Sequence, residues 1–414
     1  MDIFLTGFLY TFMFLVLYFQ VFLILTLLEN RSEMDIEEER TLKDYPTVTI
    51  IVPIFNEEKT VAKTVLSLLA MNYPQDKLSV MVVDDGSKDN TWEIVQQFKD
   101  NSRVLLHRKE NGGKYTALNY AIEHSTSEYV GCLDADSFVD PDALNHILPY
   151  FEEEGVMAVT PSLKIKNSDS VLGMIQNAEY HLGIFTRKVL GMLDAQYVTP
   201  GPFSIFKKEV FAKVGPYRHA HNTEDLEMAL RLQDHNYKIK NAHKALVHTV
   251  APRTLYKLYK QRVRWTGGFI QNTIDYRKMI LNPKYGNLGL LVLPLAMYSI
   301  IGSLIFLAMN AYGFVKNAAS SIEKARVVGF DWTAGFPSFT SEWVLYNIQS
   351  SLFLGVLAVG TIVFAIWYGK RIAGIKESGI LDIVYFLLLY SLISPLWLIT
   401  SVYNTIRNRD AAWR

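Results

Sequence analysis

Two carboxylates one residue apart, Asp134 and Asp136, end a short apolar run that begins at Tyr129. In an extended chain alternate residues share a face, so both acids project the same way. Open α/β sheets bind ligands beyond the carboxyl ends of their strands. Two anionic oxygens at such an edge suit a hard divalent cation that holds a diphosphate. The competing reading is a solvated turn that merely ends the strand. Asp84-Asp85-Gly86-Ser87 stops a second apolar run, Leu78 to Val83. Thr223-Glu224-Asp225 opens a helical pattern that continues to Leu232, with Thr223 as the cap. There the acids suit chemistry, and equally they suit the positive end of a helix dipole.

The elements that must position these residues alternate regularly. Val48–Val52 reads as a strand, followed by a helix with the apolar stripe Val61, Val65, Leu68 and Leu69, for which Asn56 is a good N-cap. Strands at Leu78–Val83, Val104–Leu106 and Met157–Pro161 alternate with helices at Thr91–Phe98, Tyr115–His124 and Ala143–Phe151. Strand–helix alternation predicts an α/β fold with a mostly parallel sheet and helices on both faces. The loops Pro53–Glu57, Asp84–Ser87, Asn111–Lys114 and Asp134–Asp136 all follow strands and so converge on one crevice. Further on, Val171–Leu190 reads as a helix and Thr199–Phe206 as a turn into a strand.

The 414 residues are 50% hydrophobic, and 41 Lys and Arg balance 41 Asp and Glu, so no general attraction to nucleic acid is implied. A single cysteine, Cys132, excludes an internal disulfide and a cysteine-rich zinc site. His181, His221, His243 and His248 match no metal-site spacing, and no dinucleotide, Walker or nucleophile-elbow motif is present. Four stretches carry no charge: Ile3–Leu28, Leu288–Val315, Val344–Gly369 and Ile383–Ile406. Each is long enough to cross a bilayer. The expected organisation is a span at 1–29, a linker at 30–45, a polar domain at 46–250, interfacial helices at 251–287, spans at 288–406 and a tail at 407–414. Within the interfacial part, Leu255–Ile280 mixes basic and aromatic residues, as a helix lying on a membrane surface does.

Asp84-Asp85-Gly86-Ser87, Asp134-Ala135-Asp136, Thr223-Glu224-Asp225 and Gln261-Arg262-Val263-Arg264-Trp265, in that order between membrane spans, resemble the signature of the processive family-2 glycosyltransferases. That family includes the cellulose, chitin, hyaluronan and poly-N-acetylglucosamine synthases, and the chain is most similar to the short bacterial poly-N-acetylglucosamine synthases. The resemblance covers roughly 48–280. It implies a glycosyltransferase A-type nucleotide-sugar-binding sheet flanked by transmembrane helices. It implies an inverting hexosyltransferase that uses a UDP-sugar, UDP-N-acetylglucosamine or a relative, to extend a β-linked polysaccharide and translocate it. The alternative is a non-processive enzyme adding one sugar to a membrane lipid.

The resemblance also assigns roles. Pro53 and Phe55 border the base, with Asn56 and Glu57 supporting that loop. Asp85 and Asp84 bind uracil or ribose, and Lys114 neutralises the diphosphate. Asp136 ligates Mg2+ or Mn2+, and Asp134 contacts the ribose or the metal. Asp225 is the general base, with Glu224 as the other candidate. Gly201 forms a floor under the acceptor sugar. Gln261, Arg264 and Trp265 sit at the acceptor end, where Trp265 stacks on a sugar and Arg264 reaches the pyrophosphate. The implied partners are a UDP-sugar, a growing glycan or lipid acceptor, membrane lipid and a small accessory membrane subunit, with no nucleic acid. The setting is multi-pass in the plasma membrane with a cytosolic catalytic domain. Lys370, Arg371 and Lys376 then fall inside and Arg407, Arg409 and Arg414 outside, unless Pro395 makes the last segment a re-entrant pair. Aromatics near span ends, Trp343, Trp367, Tyr368, Tyr385, Tyr390 and Trp397, line a glycan track or form interfacial belts.

Overall fold

The computed structural model describes residues 3–32, 41–166, 168–328, 350–375 and 379–407. Part of the expected linker, together with Trp343, Lys376, Arg409 and Arg414, lies outside the described residues. The chain divides into two compact units, one of Leu23–Pro294 with Val363–Arg414, the other of Met1–Phe22 with Leu295–Ile362.

Helix α1 (Ile3–Glu29) is followed by β1 (Val48–Ile54), α2 (Val61–Leu69), β2 (Leu78–Asp84), α3 (Thr91–Val95), β3 (Val104–Arg108), α4 (Lys114–His124), β4 (Tyr129–Cys132) and β5 (Ser137–Val139). Next come α5 (Ala143–Ile147), β6 (Val156–Ile165), α6 (Val171–Met192), β7 (Ser204–Lys207), α7 (Glu209–Val214), α8 (Glu224–Asp234), β8 (Lys238–Thr249) and α9 (Leu255–Asp275). The remaining helices are α10 (Leu293–Val328), α11 (Ser350–Ile372), α12 (Ile380–Tyr385) and α13 (Ser391–Ile406).

The eight strands form one sheet in the order β3-β2-β1-β4-β7-β6-β8-β5. Strands β1 to β4 pair in parallel, as their spacing predicts. Beyond β4 the sheet becomes mixed. β7 runs antiparallel to both β4 and β6, β6 pairs in parallel with β8, and β5 is antiparallel to β8. The reversal has a local cause. The loop ahead of β7 is anchored at the carboxyl end of β4, where Phe203 N–H donates to the Cys132 carbonyl at 2.6 Å, so the chain can only run back along β4.

Alternation along β1 divides the core. Val48, Ile50 and Val52 face the layer containing Val61, Val65, Leu144 and Ile147. Ile51 faces the opposite layer with Met81, Leu118, Phe206 and Met228. Pro53 lies inside β1 but beyond the last β1–β4 pair, Ile51 with Cys132, so its missing N–H breaks no ladder there. Asn56 is not the cap of α2. Its backbone is left-handed (φ 56°), its Oδ1 accepts from Lys88 N–H at 2.9 Å, and α2 starts later, after Thr60.

Four helices are long and apolar enough to cross a membrane: Thr6–Glu29, Leu288–Ser320, Leu352–Ile372 and Ile380–Ile406. The last stays one helix. A π-helical turn at Phe386–Tyr390 leads into α13, which continues through Pro395 to Ile406, so Pro395 makes no re-entrant pair. In the smaller unit, Phe12 lies 5.9 Å from Tyr298, and Thr361 Oγ1 donates to Gln20 Oε1 at 2.6 Å. In the larger unit, α13 packs on α9. Tyr259 donates to Thr400 Oγ1 at 2.8 Å and Ser401 to the Val263 carbonyl at 3.2 Å.

Candidate active site

The first wall of the crevice is built at the ends of β1 and β2. Asp84 closes β2 fully buried, accepting from Ser87 N–H at 2.9 Å and pairing with Arg108 Nε at 3.0 Å. The Asp84 carboxylate is thus turned into the protein, with Arg108 and the Ser87 amide beside it. Asp85 is 3% exposed. Its carboxylate accepts from Lys109 Nζ (2.7 Å), Gly112 N–H (3.0 Å) and Gly113 N–H (2.8 Å). It therefore shapes the glycine loop that delivers Lys114 at the first position of α4. The neighbouring loop is tied across, with Asn56 N–H donating to Ser87 Oγ at 3.0 Å and Glu57 N–H to Thr91 Oγ1 at 2.7 Å. Phe55 is half-buried beside it.

Lys114 is the hub. Its ammonium lies 2.6 Å from Asp134 Oδ1 and 3.3 Å from Glu224 Oε1. Burial works against its charge, but Asp134 and then Glu224 outweigh it and hold the pKa well above the ordinary lysine range. Gly201 closes the cluster. A Cβ there would sit 2.6 Å from Lys114 Nζ and 3.0 Å from Asp134 Oδ2, so only glycine lets this backbone lie against both groups. Residues distant in sequence, Asp85, Lys114, Asp134, Gly201 and Glu224, are thus joined through the Gly112–Gly113 loop and Lys114.

Asp225 opens α8 beside this cluster, partly exposed. Burial first, then the Glu224 carboxylate, pushes its pKa up to about 6, against the opposing pull of Lys114 and Arg264. A carboxylate so poised is unprotonated at neutral pH yet basic enough to accept a proton. Its backbone is pinned by Thr199, whose Oγ1 donates to the Asp225 carbonyl at 2.7 Å. Three successive non-glycine residues, Ala220 (φ 45°), His221 (φ 53°) and Asn222 (φ 60°), adopt left-handed backbone just before it. Such a run is strained and needs outside support.

The support comes from α9. Arg264 Nη1 donates to the Asn222 carbonyl at 2.9 Å, and Asn272 Nδ2 donates to Thr223 Oγ1 at 2.9 Å. Between them Gly268 lies so close that a Cβ would overlap the Thr223 side chain. These three residues are spaced i, i+4 and i+8, so they share one helix face. Thr223 is not the side-chain cap expected of it, because its hydroxyl faces Ala220 and Asn272. The spacing was visible in the sequence, but Gly268 and Asn272 acquire meaning only once the left-handed turn is seen.

Gln261 and Trp265 are organised by Arg262, to which the motif assigns no role. Its guanidinium lies 4.2 Å from the Trp265 ring centre and donates to Gln261 Oε1 at 2.6 Å. Glu179 on α6 holds it in a fork, at 3.0 and 2.6 Å, and Tyr390 also donates to Glu179 at 3.1 Å. Trp265 remains 37% exposed and offers a ring face. No sequence signal marked Glu179.

Asp136 follows two residues after Asp134, half-buried, and accepts from Ser137 Oγ at 3.3 Å. Among the described residues no three His, Cys, Asp or Glu side chains converge as a metal cage. Two carboxylates at a strand edge still fit a hard cation that takes its other oxygens from diphosphate and water.

Residues 49–215 match the family model described as Glycosyl transferase family 2. The chain is 33% identical over 244 residues to a poly-beta-1,6-N-acetyl-D-glucosamine synthase of Staphylococcus aureus, covering 58% of each chain. It is 36% identical over 225 residues to the synthase of that name from Staphylococcus epidermidis, covering 53% of this chain and 54% of the relative. The match thus spans less than two thirds of these relatives. Among solved structures, the mannosyltransferase PcManGT of Pyrobaculum calidifontis, in complex with GDP-Man and Mn2+, aligns with a TM-score of 0.53 at 19% identity, over 88% of this chain and all of that one. The last likeness concerns the fold alone.

Proposed function

We propose that this chain, which carries a glycosyl transferase family 2 domain at 49–215, is a membrane-embedded inverting glycosyltransferase that extends a β-linked N-acetylglucosamine polymer from UDP-N-acetylglucosamine. The observation that carries the reading is the poise of Asp225. A carboxylate with its pKa near 6 stands beside a lysine–aspartate pair at the carboxyl edge of the sheet, over a glycine floor.

In this mechanism the acceptor hydroxyl lies between Asp225 and the anomeric carbon of the donor. Asp225 takes the hydroxyl proton as the oxygen attacks. The new carbon–oxygen bond forms as the carbon–phosphate oxygen bond breaks, and UDP leaves with the bonding pair. One displacement inverts the centre, so an α-linked donor yields a β-linked product. Lys114 and Arg264 offset the charge on the leaving diphosphate. Asp136, with Asp134, would hold Mg2+ or Mn2+, which supplies Lewis-acid neutralisation of that diphosphate when bound. Asp85 acts by fixing the glycine loop against the nucleotide, beside Pro53, Phe55, Asn56 and Glu57. Glu224 keeps Lys114 in place and raises the basicity of Asp225. Trp265 stacks on the acceptor sugar, with Gln261 beside it.

The catalytic domain faces the cytosol, where UDP-sugars are made. Lys370 and Arg371 after the third span then lie on the same side, in keeping with the positive-inside rule. The packing of α9 on α13 favours transfer at the lipid boundary and leaves a second reading, addition of one sugar to a membrane lipid.

Membrane vesicles containing the protein, incubated with radiolabelled UDP-sugars, should make alkali-stable polymer from UDP-N-acetylglucosamine. Asp225→Asn should abolish turnover by about 10^3-fold while UDP still binds. A product one sugar long would favour the lipid acceptor. Turnover retained in Asp225→Asn would reject the assignment of the base.

A further inference from the structure

Arg187 on α6 plays no part in the chemistry above, yet its half-buried side chain is held in an unusual way. Its Nε and Nη2 atoms are inaccessible and have no hydrogen-bond partner among the described residues. The titratable groups acting on it are two phenols, Tyr180 and Tyr197, and no carboxylate. Burial draws its pKa down to about 10, so it remains a cation at neutral pH. A guanidinium with two enclosed donors unanswered and no acid acting on it is a costly feature that asks for a ligand.

Its surroundings say which kind. Tyr180, Gly183 and Arg187 follow at i, i+3 and i+7 along one face of α6, and Gly183 leaves room for the guanidinium, whose Nη1 would lie 3.2 Å from any Cβ there. Tyr180 follows Glu179, the residue that forks Arg262. The Tyr197 ring lies 5.5 Å from Phe269, one helical turn beyond Trp265 on α9. Tyr197 also leads directly into the loop of Gly201. Trp265, Phe269, Tyr197 and Tyr180 are partly exposed aromatics between the Trp265 platform and a planar group with two unanswered donors. Flat apolar faces with a few fixed donors suit a sugar ring.

We propose that Arg187, Tyr180 and Tyr197 form a subsite for the acceptor saccharide, set back from its reacting end, in which the half-buried guanidinium turns outward to donate to a carbonyl or hydroxyl oxygen of a sugar unit. This rests on the glycosyltransferase reading and extends it to how the product is held between additions. The subsite raises the residence of the growing chain without touching the donor.

Arg187→Met, near in volume and uncharged, tests it in full-length protein in detergent or vesicles. The variant should keep the thermal midpoint or raise it, because an uncompensated buried charge is gone. Its KM for UDP-N-acetylglucosamine should stay at the wild-type value. Its dissociation constant for short β-linked N-acetylglucosamine oligosaccharides should rise about tenfold or more, and its polymer should shorten. Arg187→Lys, which keeps the charge and loses the fork, should fall between. A lower thermal midpoint in Arg187→Met would mean that the charge has a native partner, and would overturn the proposal. So would unchanged oligosaccharide affinity and product length, or a rise in donor KM instead, which would assign the guanidinium to diphosphate. Oligosaccharide binding is read by tryptophan fluorescence without turnover, so a wild-type protein inactive with every UDP-sugar would count against the function and not against the subsite.

Discussion

The two walls of the crevice are built on opposite principles. On the donor wall two acids are answered from within the protein: Asp84 by Arg108 and Ser87, Asp85 by Lys109 and the Gly112–Gly113 amides. On the acceptor wall the groups are held by strain and left open. A left-handed run presents Asp225, Trp265 keeps an exposed face, and Arg187 has no acid beside it. A donor of fixed size returns each cycle, and a preformed cradle suits it. On the proposed reading, an acceptor that changes with every addition must be gripped and released, and a wall that keeps contacts for the ligand to complete suits it.

Substitutions on the two walls should therefore fail differently. After Asp225→Asn, the largest loss is expected of Gly268→Ala. Its new Cβ overlaps Thr223 and shifts the turn that leads into Asp225, the proposed base. Misplacing a catalytic group by about 1 Å costs roughly 10^2-fold in kcat. UDP affinity, measured by calorimetry, should be unchanged, and a kcat near wild type would show that α9 does not clamp the turn. Asp85→Asn should do the reverse. An amide cannot answer Lys109 and both loop amides, so donor KM should rise about tenfold with kcat largely kept. If kcat fell while donor KM stayed constant, the contrast between the walls would collapse.

The same contrast explains what the sequence discloses. The donor wall is local and regular: apolar runs of strand length end in acids, and parallel strands bring their ends together, so Asp85, Lys114 and Asp134 are legible from spacing alone. Their exact partners are not. Asp84 and Asp85 look equivalent in the chain, and only β2 pairing shows that one points inward to Arg108 and the other to the glycine loop. The acceptor wall depends on contacts between distant segments. Nothing near Ala220 announces three left-handed residues, because neither glycine nor a turn motif stands there. Glu179 and Arg187 are ordinary members of an amphipathic helix until α9 and the Tyr197 loop are laid against it. Pro395 leaves two alternatives open in the sequence for a related reason: local chemistry allows a break, while a π turn and the packing of α13 on α9 keep the helix whole.

The smallest effect discriminates most sharply. If Asp225 is the base, kcat/KM rises with pH as its proton leaves, giving an acid limb near pH 6. Burial is the main cause of the raised value, and it persists in surface-charge variants. Glu224 is the next cause, and Lys114 and Arg264 oppose it. Glu224→Gln removes a negative neighbour and also frees Lys114 from one of its two acids, at 3.3 Å. Both changes favour the ionised carboxylate, so the limb should move to lower pH. Arg264→Gln removes a cation that favours ionisation, so the limb should move to higher pH, whatever it does to the absolute rate. Opposite displacements from these two neighbours tie the limb to a carboxylate that feels both Glu224 and Arg264, as Asp225 does. Limbs that move together, or stay fixed, would transfer the role of base away from Asp225.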